Sequence, residues 1–225
     1  MTQTRSAYLY ICASAVAFTC VAYELLLGSY ATFLMGASVL QYSLVISLMM
    51  LSMGIGALLT RAISNNSFSS FLSIELLLCW CALLAVPLMY LSFCLNFAPK
   101  LTLILFVSLL GLGIGMEIPL LSQINSSPKT LTKLLFSDYS GGFFGGIAFP
   151  IILFPYFGFF RIGAMLGLIN ALMSASFFVL FKEKISGSKM IWGVLIASTV
   201  IACFTELLFA ERLRTWMEFR FFAIQ

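Results

Sequence analysis

The chain has 225 residues, of which 62% are hydrophobic and only 9% charged, with a formal net charge of +4. A soluble domain typically carries about 25% charged residues, so the composition excludes a soluble globular fold and points to an all-α, polytopic transmembrane bundle. Lys and Arg are spread over short loops, which removes nucleic acid as a partner. The absence of His removes His-ligated metal, bis-His haem and the commonest general base. No cofactor and no metal site is expected.

A spanning helix needs about 20 apolar residues. In chain order the candidates number about seven: 8–30, 40–60, 70–93, 101–124, 138–156, 161–181 and 189–209. The first follows Arg5 as a signal peptide would, but it is too long and lacks a small-residue cleavage site. It reads as a retained helix. Span 138–156 is expected to be kinked or re-entrant. Pro150 and Pro155 each remove a backbone donor, and Gly141, Gly142, Gly145 and Gly146 loosen its start. The chain then divides into a bundle over 1–210 and a juxtamembrane tail over 211–225. In the tail, Leu213, Trp216 and Met217 fall on one side and Arg212, Arg214 and Glu218 largely elsewhere. This is the pattern of an interfacial amphipathic helix or of a frayed end anchored by Trp216.

The Lys/Arg bias sets orientation. With a cytoplasmic N-terminus, the inner segments hold Arg5, Arg61, Lys129, Lys133, Lys182, Lys184 and Lys189, and the outer loops only Lys100 and Arg161. An odd number of spans places the tail outside, with Arg212, Arg214 and Arg220; an even number returns it to the cytoplasm. The six Cys, Cys12, Cys20, Cys79, Cys81, Cys94 and Cys203, form no C-x-x-C pair and read as small apolar packing residues.

Three acids interrupt the apolar runs. Glu24 is the only charge between Tyr8 and Tyr30, Glu117 lies in GLGIGMEIPLL, and Asp138 opens SDYSGGFFGGIAFP. A charge near a bilayer centre costs at least about 2.5 kcal/mol and normally faces a bundle interior or a wet cavity. Helical spacing puts Ala13, Ala17, Cys20, Glu24, Gly28 and Ala31 on one stripe, and small residues let helices approach closely in lipid. Asp138, Gly142, Gly145 and Phe149 share another stripe. Gly113 lies one turn before Glu117, and Pro119 frees the Gly115 carbonyl beside it. A carboxylate next to a free carbonyl suits an ammonium or metal cation; the other reading makes Glu117 a neutral, hydrogen-bonded pin between helices. Glu75 and Glu206 extend the acids into a ladder across the membrane.

The elements YELLLGSYATFLMGAS, SMGIGALLTR, SIELLL, GLGIGMEIPLL and DYSGGFFGGIAFPIILFPYFG resemble the membrane-integral region of bacterial spermidine-synthase-like proteins, polyamine aminopropyltransferases. In that family a helical bundle precedes a cytosolic catalytic domain. The resemblance implies a multi-pass protein of the bacterial inner membrane and a polycationic ligand. No segment here matches the catalytic domain, so aminopropyl transfer is not expected of these residues.

Two functions follow as expectations. In the first, the bundle binds or passes a polyamine-like cation through Glu24, Glu117 and Asp138, with Tyr23 and Tyr139 beside them. Gly113, Gly115, Pro119, Gly141, Gly142, Gly145, Gly146 and Pro150 would set the packing and hinges. In the second, the bundle is a non-transporting anchor for a separate soluble aminopropyltransferase, docked on the tail.

Overall fold

The computed structural model describes residues 3–63, 66–125 and 130–222, and among them every regular element is helical. The helices are α1 (Gln3–Met35), α2 (Ser38–Ile63), α3 (Ser67–Cys94), α4 (Pro99–Ile124), α5 (Thr130–Ala148), α6 (Phe154–Phe181) and α7 (Lys189–Phe222). A π-helical turn, Phe149–Leu153, joins α5 to α6. Local chemistry marks the ends. Gly36 and Ala37 take positive φ, 70° and 52°, between α1 and α2. Asn66 caps α3, its Oδ1 accepting from the backbone N–H of Phe68 and Ser69 at 3.1 and 3.2 Å. Lys129 and tail residues 223–225 lie outside the described residues.

Six helical stretches among the described residues are long and apolar enough to cross a membrane, where the sequence suggested about seven spans. The difference is confined to Thr130–Phe181, a stretch of 52 residues that contains both expected spans, 138–156 and 161–181. It is not straight. Gly158 has φ 69° and ψ 166°, a backbone open to glycine, and the chain doubles back there. Gly141 and Gly145 lie against Ser14 and Phe18, so α5 runs parallel to α1. Phe159 lies by Tyr30 and Phe181 by Tyr8, so α6 runs antiparallel to α1.

The expected kink is the π-helical turn that takes in Pro150. The expected start at 138 is corrected: α5 begins at Thr130, and its four glycines sit mid-helix along α1 instead of loosening a helix end. Helix α7 runs from Lys189 to Phe222 and takes in the start of the expected tail.

Helices α1, α3, α4 and α6 form an inner ring, with α2 packed on α4, α5 on α1 and α7 on α6. Glycine lets these helices pack closely. A Cβ on Gly115 would sit 2.1 Å from the Met53 carbonyl oxygen, and one on Gly141 1.9 Å from that of Ser14. Hydrogen bonds tie one end of the bundle together: Asn66 Nδ2 donates to the Lys184 carbonyl at 3.0 Å, Asn125 Nδ2 to Ser6 Oγ at 2.6 Å, and the Ser186 N–H to Ser69 Oγ at 2.8 Å. Arg5, Arg61, Lys133, Lys182, Lys184 and Lys189 gather at that end. The opposite end carries Lys100, Arg161, Arg212 and Arg214.

Candidate acidic cleft

Helices α2 and α5 flank α1 and α4 without packing face to face. The gap between them is a cleft of about 860 Å³, walled by α2 and α5 and floored by α1 and α4. Glu24 from α1, Glu117 from α4 and Asp138 from α5 all line it, with Tyr139, Gly115, Pro119 and Gly142. The packing explains the convergence. Gly141 and Gly145 seat one face of α5 on α1, which turns the neighbouring Asp138/Gly142 face into the cleft. Gly115 lets α2 close on α4. Ala17, Cys20 and Glu24 share the α1 stripe that forms the floor. Cys20 lines the same floor as Glu24.

A fourth acid stands behind the third. Glu75 on α3 faces Glu117 closely enough to interact with it. Both residues are 0% exposed, and none of their four carboxyl oxygens finds a hydrogen bond of acceptable geometry among the described residues. Glu24 and Asp138 are half-buried. No Lys or Arg pairs with any of these four among the described residues; the ion pairs there join Glu211 to Arg161 and Arg214, at 3.6 and 3.5 Å. Carboxyl groups offer acceptor oxygens, and when ionised they have no donor of their own. The cleft gathers three of them with no Lys or Arg beside them among the described residues.

Tyr23 does not join them. One residue along a helix turns the side chain by about 100°, and Tyr23 faces the ring interior, where its hydroxyl accepts from Asn170 Nδ2 at 3.4 Å. Gly113 packs on Leu78 of α3, away from the cleft. Gly146 and Pro150 line a neighbouring cavity instead. Glu75, expected only as one rung of an acid ladder, stands directly behind the cleft, and Asn170, which the sequence reading left out, lies in the ring interior against Tyr23. Both carried the signal that singled out Glu24, a polar side chain within an apolar run.

Comparison with known proteins adds a lineage to this geometry. A protein of Leptospira interrogans is 33% identical over 166 residues, covering 72% of this chain and 33% of its own length. One of Oceanobacillus iheyensis is 32% identical over 191 residues, covering 80% and 37%. One of Ralstonia nicotianae is 28% identical over 226 residues, covering 95% and 44%. These homologues are polyamine aminopropyltransferases. The chain spans between a third and somewhat under half of the length of these relatives. No family model matches it, and no solved structure does.

Proposed function

We propose that the chain is a membrane-embedded module of a bacterial plasma membrane that binds a polyamine-like cation in the α2–α5 cleft. The observation that carries this reading is the meeting of Glu24, Glu117 and Asp138 on one cavity, with no basic partner among the described residues. The relatives' name supplies the ligand class. The membrane setting is supported by the apolar stretches and by the gathering of Lys and Arg at one end, the pattern of a cytoplasmic face. With α5 and α6 running in opposite directions, the start of α1 and the end of α7 lie at opposite ends of the bundle. The rim residues Met50, Tyr139 and Phe143 are exposed, and the cleft opens between α2 and α5.

The test is equilibrium binding of radiolabelled spermidine to the protein in nanodiscs, for wild type, Glu24→Gln, Glu117→Gln and Asp138→Asn. Hydrogen bonds to charged groups contribute about 1.5–3 kcal/mol, so each substitution is expected to weaken binding by about tenfold or more. Unchanged affinity in all three variants removes the cleft as a cation site.

A further inference from the structure

We infer that the acidic cleft is one half of a longer groove, whose other half lies along the aliphatic chain of the bound amine and makes the protein selective for chain length. The inference rests on the cation-binding reading above and goes beyond it by naming what fixes specificity. A second cavity of about 650 Å³ lies against α1, α2, α5 and the start of α6, and its walls include Leu25, Phe33, Tyr42, Gly146, Phe149 and Phe159. It takes up where the acidic cleft stops on each of three helices. On α1 the cleft ends at Glu24 and the second cavity begins at Leu25. On α5 the cleft ends at Phe143 and the second begins at Gly146. On α2, which runs the other way, the cleft ends at Ile46 and the second takes Tyr42. Three independent helices in the same register make the two cavities consecutive. From Val16 to Phe33 the groove follows α1 over 18 residues, about 25 Å at 1.5 Å rise per residue.

The two halves differ in chemistry. The first holds the three carboxylates. In the second, Ser29 and Tyr42 satisfy each other's hydroxyl groups and Thr32 donates to the Gly28 carbonyl, and what remains is aliphatic and aromatic surface. Carboxylates alone would accept any small cation. An aromatic extension adds contact only for a cation that carries methylenes, and its ring faces also attract a second ammonium. The charge of the first half and the apolar walls of the second together fit a linear aliphatic amine.

Gly146 makes the idea testable. A Cβ there would meet only Val21 Cγ1, at 3.6 Å, an ordinary contact, so Gly146→Leu fills the second cavity without moving α5 from α1. The probes are α,ω-diamines from 1,3-diaminopropane to 1,8-diaminooctane, titrated calorimetrically into protein nanodiscs, with empty nanodiscs subtracted. Gly193→Leu, at a position with open space around it on α7, is the control. In wild type and in the control, affinity is expected to rise by up to about fourfold per added methylene. In Gly146→Leu the rise disappears and the affinity of the shortest diamine stays the same. A wild type that binds diamines with no dependence on length overturns the inference and leaves the cation site standing. So does a Gly146→Leu variant that weakens all lengths equally. A wild type that binds none of the amines overturns both.

Discussion

Replacing Glu75 and Glu117 together by leucine should leave the protein at least as stable as before, while abolishing amine binding. The magnitude follows from their setting. A buried polar group without a partner costs roughly 1–3 kcal/mol, and both carboxyls are 0% exposed with only each other to face. One contact between two carboxyls leaves their remaining oxygens unanswered, so the pair carries about 1–3 kcal/mol of unreturned desolvation. Leucine is near glutamate in volume, so packing changes cost under about 1.5 kcal/mol per site. If the two were instead pins between helices, each interhelical hydrogen bond would be worth about 0.6 and at most about 1.7 kcal/mol, and the double variant would lose about 1–3. The two readings predict opposite signs. Thermal unfolding of the purified protein in detergent, with spermidine binding measured on the same samples, separates them. A double variant destabilised by 1 kcal/mol or more refutes the reasoning. A stable variant that has lost binding identifies a costly pair kept for its function, as expected where activity and stability compete.

Three further outcomes follow from the packing. Gly141→Ala and Gly145→Ala should each cost about 1–3 kcal/mol, since the added Cβ would lie 1.9 Å from the Ser14 carbonyl oxygen and 2.5 Å from that of Phe18. Gly146→Ala should be neutral, and melting temperatures of the three variants check the contrast. Tyr23→Phe removes a hydroxyl that accepts one long hydrogen bond from Asn170; it should lower stability by about 0.6 kcal/mol and leave spermidine affinity unchanged. A small water-soluble thiol reagent should modify Cys20, which lines the cleft, well before Cys79 and Cys203, which do not. Spermidine should slow that reaction alone, as read by mass spectrometry of the peptides.

The sequence was most informative about faces and least informative about neighbours. The stripe Ala17, Cys20, Glu24 follows from the 3.6-residue period, and it lies on the cleft floor as that period requires. Which helices complete the site is a different matter, because spacing within one helix carries no information about the helix opposite. Glu75 shows this. It lies on α3, far in sequence from Glu117, and only the packing of α3 on α4 brings the two carboxyls together. Tyr23 shows the converse. Adjacency to Glu24 in sequence guarantees a different direction on a helix, so its grouping with the acids confused nearness along the chain with nearness in space.

The glycines of α5 serve close packing, where in water they would mark a weak helix end. In water, glycine weakens a helix by about 1 kcal/mol relative to alanine, and four in six residues suggest a frayed start. Where the surroundings are apolar, unpaired backbone is too costly for fraying to be an option, and the missing Cβ is spent on contact. Gly141 and Gly145 bring α5 against α1, and Gly142 and Gly146 leave room beside Val21. Asp138 points into the cleft because its helix is seated that way. The glycine pattern is thus part of the site itself: it fixes the rotation of α5, and that rotation decides whether the third carboxylate meets the other two.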